Sequence, residues 1–136
     1  MSFNPLKLLD LCKSLCKGIG SLDSETISRT IISRAYYATF LHAREYLKEK
    51  HNVRFTRSGD DHRLVENQLM RKVDRHLGSV VRTLRENRIA ADYSLSNPAI
   101  AHPQLRYGYR SLRFDQRAQK ENIRLAQYVT NSLPRN

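Results

Sequence analysis

Residues 28–47 read SRTIISRAYYATFLHAREYL, and the packing of that stretch decides the fold. Asp23 and Ser24, just before it, can both cap a helix, and neither proline nor glycine interrupts the run to about Lys50. Ala35, Ala38 and Ala43 favour helix, while Tyr36, Tyr37, Phe40 and Tyr46 supply bulk. At about 100° per residue, Ile31, Ala35, Ala38, His42 and Tyr46 fall together. Ile32, Tyr36, Thr39, Phe40, Ala43 and Leu47 widen that sector to roughly 200°, about twice the apolar stripe of a surface helix. The pattern predicts a central helix that touches several neighbours at once, with alanines that let another helix come close.

The flanking sequence supplies those neighbours. Pro5 suits a first turn, and Leu6, Leu9, Leu11, Cys12, Leu15 and Cys16 form an apolar face running to Lys17, before Gly18 and Gly20. After the polar run 48–52, a basic loop with Arg54, Arg57 and Gly59 leads to Asp60 and Asp61, which read as a cap for a third helix over about 62–73. Leu64, Val65, Leu69 and Val73 turn inward on it, and a fourth helix covers about 77–91. Beyond Tyr93 periodicity fails, and the prolines at 98 and 103 exclude regular helix across an irregular loop at about 94–113. A last helix from near Asp115 to Pro134 carries Ala118, Ile123, Leu125, Ala126 and Val129. With no strand signal, the expectation is a single all-α domain, 1–136, built as a bundle of about five helices.

Charge narrows the function classes. The 136 residues carry a net charge of +11, and most of the 24 basic residues are arginine, whose planar fork suits phosphate and carboxylate. Nucleic acid, an acidic protein partner and an unliganded basic surface all remain open on charge alone. Cys12 and Cys16 are the only cysteines, a turn apart, a spacing poor for a disulfide within one helix; they read as reduced thiols of a cytoplasmic protein. No apolar run approaches the roughly 20 residues that span a bilayer, and no signal-peptide pattern opens the chain, so no membrane partner is expected. No clustered His and carboxylate spacing supports a metal, and no cofactor motif is present.

The fourth helix holds the most informative residue. Leu77, Val80, Val81, Leu84 and Ala91 share one face, and Arg88 lands in their midst. A guanidinium on an apolar stripe is costly unless an anion or a partner meets it. Arg85 lies at the edge of the stripe and Arg82 farther round, so three arginines climb the helix at i, i+3 spacing. Arg88 can equally pair with Asp92 one turn on, or reach out at the helix end.

Together, RAYYATFLHA at 34–43 and RIAADY at 88–93 resemble the HEPN (higher eukaryotes and prokaryotes nucleotide-binding) family, in its small prokaryotic branch. The similarity runs from the first helix to the last. It implies an up-and-down helical bundle that dimerises. It also implies a metal-independent endoribonuclease, often a toxin or defence component paired with a small nucleotidyltransferase antitoxin. The family's Arg-x4–6-His motif binds the scissile phosphate with arginine and assists 2′-OH attack with histidine. Carried over, the arginine falls on Arg88, with Arg85 assisting, and the histidine position holds Tyr93. A phenol with a pKa of about 10 is a poor base at neutral pH but can donate a hydrogen bond to phosphate. His62, where this branch often carries a histidine, is the first substitute as proton carrier.

Other histidines rank lower. His42 reads as a core residue, His51 and His102 as solvent and loop residues, and the Arg71–His76 pair as a chance match to the motif. In the segment 105–114, Arg106, Arg110 and Arg113 interleave with Tyr107 and Tyr109, a pattern suited to single-stranded RNA; Arg82 extends the same basic surface. A flexible arm anchored on the bundle by the same aromatics fits equally. The alternative to an RNA-cleaving homodimer is a non-catalytic HEPN module that binds nucleotide or RNA or docks a nucleotidyltransferase. A purely structural dimer, held by Tyr37, Leu41 and the alanine faces, is a third reading.

Overall fold

A computed structural model describes residues 3–17, 23–100 and 111–135. Among them the order is α1 (Leu6–Cys16), α2 (Ser24–His51), α3 (Asp61–Lys72), α4 (Arg75–Tyr93), β1 (Ala99–Ile100), β2 (Ser111–Leu112) and α5 (Gln116–Ser132). The protein is an all-α helical bundle with one small antiparallel pair, Ala99 opposite Leu112 and Ile100 opposite Ser111. That pair corrects the expectation of no strand: two-residue strands are too short to show an alternating pattern.

Local chemistry sets the ends of α2. The Asp23 carboxylate accepts from the Thr26 N–H at 3.0 Å and from the Thr26 hydroxyl at 3.1 Å, capping the first turn. Glu25 near the start and Lys48, Lys50 and His51 near the end complement the helix dipole. Asn52, in the left-handed region at φ 54°, stops the helix, and the Val53 N–H returns to the Leu47 carbonyl at 3.2 Å.

Every other helix packs on α2. Ile31, Ala35, Tyr36, Ala38, Ala43 and Leu47 are fully buried, joined by Leu9 and Cys12 of α1, Val65 and Leu69 of α3, Val81 and Leu84 of α4, and Ala126 and Val129 of α5. The alanines are therefore used up inside the chain and offer no face to a second copy. Tyr37 and Leu41 are half-buried against the same core.

Asp60 and Asp61 divide roles in a way the sequence did not reveal. Asp60 stands at the N-cap of α3 without a side-chain cap bond. The buried Asp61 carboxylate instead faces back, accepting from the Thr56 N–H and hydroxyl at 2.9 and 2.8 Å and from the Arg57 N–H at 2.8 Å. The 53–60 loop is thereby tied into a fixed shape. Asp74 breaks the chain between α3 and α4 and caps α4 through the His76 N–H at 3.2 Å.

A second, smaller cluster seats the β-pair: Ile32, Ala90, Ala91, Ala99, Leu112, Phe114 and Ala118. Arg29 binds this end together. Its Nη1 donates to the carbonyls of Ala91 at 3.0 Å and Ser94 at 2.6 Å, satisfying the C-terminus of α4, and its guanidinium lies 4.0 Å from the Phe114 ring centre.

Candidate functional site

Arg88 reaches from α4 onto the Tyr36–Tyr37 pair of α2, and its side chain is only 12% exposed. Nη2 donates to the Tyr37 hydroxyl at 2.8 Å, and the guanidinium carbon lies 5.0 Å from the Tyr37 ring and 5.6 Å from that of Tyr36. Nε is buried with no hydrogen bond, 3.7 Å from Asp92 Oδ2, whose carboxylate also receives the Ser33 hydroxyl at 3.3 Å. Among the described residues Nη1 has no partner. The tyrosine pair on α2, with its two aromatic faces and one acceptor, is thus what holds a cation on this apolar stripe.

His62 belongs to the same cluster. Its ring stacks on Phe40 at 4.2 Å, meets the Tyr37 edge at 6.2 Å, and pairs through Nδ1 with the Tyr36 hydroxyl. Burial raises the Tyr36 phenol well above its ordinary range, so it stays protonated. Burial, then the nearby Arg88 and Arg85 charges, push the His62 imidazole below its usual value, so it is neutral at pH 7. The Tyr36 phenol has no other acceptor among the described residues, so it donates to Nδ1, which assigns the imidazole proton to Nε2. His62 presents a hydrogen-bond donor, not a lone pair, on its free side.

The other arginines of the ladder are neutralised at home. Arg85 Nε donates to Glu66 Oε1 at 2.8 Å, and Arg82 Nε lies 3.4 Å from Glu86 Oε1. Burial raises the Glu66 carboxyl despite the Arg85 bond. Tyr93 is 72% exposed and, at about 100° per residue, sits roughly 140° around α4 from Arg88. Within one chain, then, Arg88, Arg85 and His62 gather in one region, and Tyr93 stands apart from them. Arg113 is exposed beside β2; Arg106, Tyr107, Tyr109 and Arg110 lie outside the described residues.

Tyr36, Tyr37 and Glu66 take part in this cluster in roles that sequence reasoning did not assign them. The Tyr-Tyr pair was visible in the central helix, but nothing in its spacing names Arg88 as partner. His42 proves to be a core residue: its Nε2 meets the Leu133 carbonyl at 2.7 Å at the end of α5.

Beside His62 opens a groove of about 1220 Å³, lined among others by Phe40, Arg44, Lys48, Arg54, Phe55 and Arg57. Among the described residues no three His, Cys, Asp or Glu side chains converge to hold a metal, and no helix is long and apolar enough to cross a membrane. Compared with family models, curated proteins and solved structures, the chain matches none of them.

Proposed function

We propose that this chain is a HEPN-type protein that binds RNA through Arg88 and, as a homodimer, cleaves it without metal in a toxin or defence setting. The observation that carries this reading is the meeting of Arg88 and His62 across Tyr36 and Tyr37, with two N–H groups of Nη1 unspent among the described residues. Nη1 receives a phosphate oxygen and offsets its charge. In the reaction the 2′ oxygen attacks phosphorus, the P–O5′ bond breaks, and a cyclic phosphate remains. Water takes the 2′ proton and returns one to the departing 5′ oxygen, while the Nε2–H of the neutral His62 donates a hydrogen bond to a phosphate oxygen. Tyr93, turned outward, takes part only from the surface it shares with a second copy.

One observation favours a second reading, a non-catalytic module that binds RNA or nucleotide or docks a nucleotidyltransferase. The His62 lone pair is occupied by the Tyr36 phenol, so within a single chain no histidine of the cluster is free to take the 2′ proton. The two readings part in one experiment: RNA incubated in EDTA with wild type, Arg88→Ala and His62→Ala. Cleavage by wild type that falls by roughly 10²-fold or more in Arg88→Ala supports the nuclease. Equal cleavage by wild type and Arg88→Ala, or none by either, removes it.

A further inference from the structure

The groove beside His62 has a makeup that the Arg88 cluster does not explain. Its wall on α2 carries Arg44 and Lys48, its opposite wall on the 53–60 loop carries Arg54 and Arg57, and Phe40, Phe55 and His62 line it between them. Two carboxylates also line it. Glu45 lies 3.6 Å from Arg44 and 3.5 Å from Lys48, and Asp61 is spent on the loop backbone. Among the described residues Arg54 and Arg57 meet no carboxylate, although both side chains are held on a loop that Asp61 fixes. Arg57 even adopts the left-handed backbone region at φ 61°, unusual for a residue with a Cβ.

Exposed guanidinium groups with no carboxylate partner among the described residues, carried on a loop whose backbone Asp61 ties down, face two further cations across an aromatic-lined groove and form a cradle for a chain of anions whose units also carry flat rings. His62 ties this groove to the site: its ring lines the groove while its Nδ1 reaches Tyr36, over which Arg88 lies. We propose that the groove between the C-terminal half of α2 and the 53–60 loop, which His62 lines, binds the phosphodiester backbone of a single RNA strand. This deepens the preceding reading and rests on it for the strand's identity. Arg54 and Arg57 supply phosphate contacts, and Phe55 supplies a surface for a base.

The test uses a fluorescent ten-nucleotide uridine strand carrying 2′-O-methyl groups, which binds but lacks the attacking hydroxyl. Anisotropy is read across a salt series for the full chain and for the Arg54→Gln, Arg57→Gln double variant. Among the described residues neither side chain has a carboxylate partner to lose, and a matching thermal midpoint confirms the variant's fold. The variant is expected to bind at least tenfold more weakly at low salt. The slope of log K against log salt is expected to shrink by about 1.4, the counterions released by two phosphate contacts on a single strand. Binding within twofold of wild type, absence of wild-type binding, or equal displacement by polyglutamate each overturns the proposal. Cleavage of an unmethylated strand is scored separately. Loss of cleavage alone sinks the nuclease reading and leaves the groove standing, while cleavage with unaltered variant binding does the reverse.

Discussion

The Nη2 of Arg88 donates to the Tyr37 hydroxyl at 2.8 Å across the seam between α4 and α2. Among the described residues, the one hydrogen bond of a nearly buried guanidinium therefore depends on a single phenol oxygen. Tyr37→Phe keeps the ring beneath the cation but strands the donor. The variant is expected to lose about 1–3 kcal/mol of stability, the usual cost of an unsatisfied buried polar group. Urea denaturation measures it; a change below about 0.5 kcal/mol would show that Arg88 finds other partners freely.

Gly78 carries a prediction that runs against helix propensity. In an α-helix alanine is favoured over glycine by about 1 kcal/mol. Here an added Cβ would lie 2.3 Å from Met70 Cγ and 2.7 Å from the Glu66 carbonyl oxygen, where α3 crosses α4. Methionine can swing away, but the backbone oxygen cannot without moving α3. Gly78→Ala is expected to destabilise by about 1–3 kcal/mol net. Pairing it with Met70→Ala should not restore the loss, because the carbonyl contact remains. A stabilised Gly78→Ala in thermal melts would contradict the close helix crossing.

Arg29→Gln tests the clasp at the other end of the bundle. The change removes donors from the Ala91 and Ser94 carbonyls and the cation from the Phe114 face. A loss of about 1–3 kcal/mol is expected. Amide exchange should quicken locally at 94–100, ahead of the core of α2. Uniform acceleration along the chain would mean that the clasp is not a separate opening unit.

These cases show where the sequence was legible. The wide apolar sector of α2 identified the central helix because 3.6-residue periodicity is a property of one segment. The Arg88–Asp92 and Arg82–Glu86 pairs lie one turn apart and can be read from spacing alone. Arg85 with Glu66, Arg29 with Ala91, and Tyr36 with His62 join residues far apart in the chain, so no local pattern announces them. Gly78 lets α3 come close to α4, a tertiary contact that no local pattern announces. Asp61 looked like a cap because its residue type fits one, whereas the preceding loop offered it three donors.

The histidines give the protein an acid-sensitive stability with a definite sign. Burial first, then Arg88 and Arg85, lower the His62 pKa; Asp61 opposes them and Arg44 adds to them. Burial also lowers that of His42, against its bond to the Leu133 carbonyl. The unfolded chain therefore binds more protons than the folded one as pH falls below about 6.5, the ordinary histidine value. Stability is fully present above that pH and is lost as pH drops toward the folded values. Glu66, whose carboxyl is raised, acts in the opposite sense, so the total slope mixes both. Comparison with His62→Phe isolates the histidine, since phenylalanine can keep the stack on Phe40. Denaturation at pH 7.5 and 5.5 is expected to show wild type losing more stability on acidification than His62→Phe. Equal losses would place His62 in a solvated setting, and with it would go the reason for its neutrality beside Arg88.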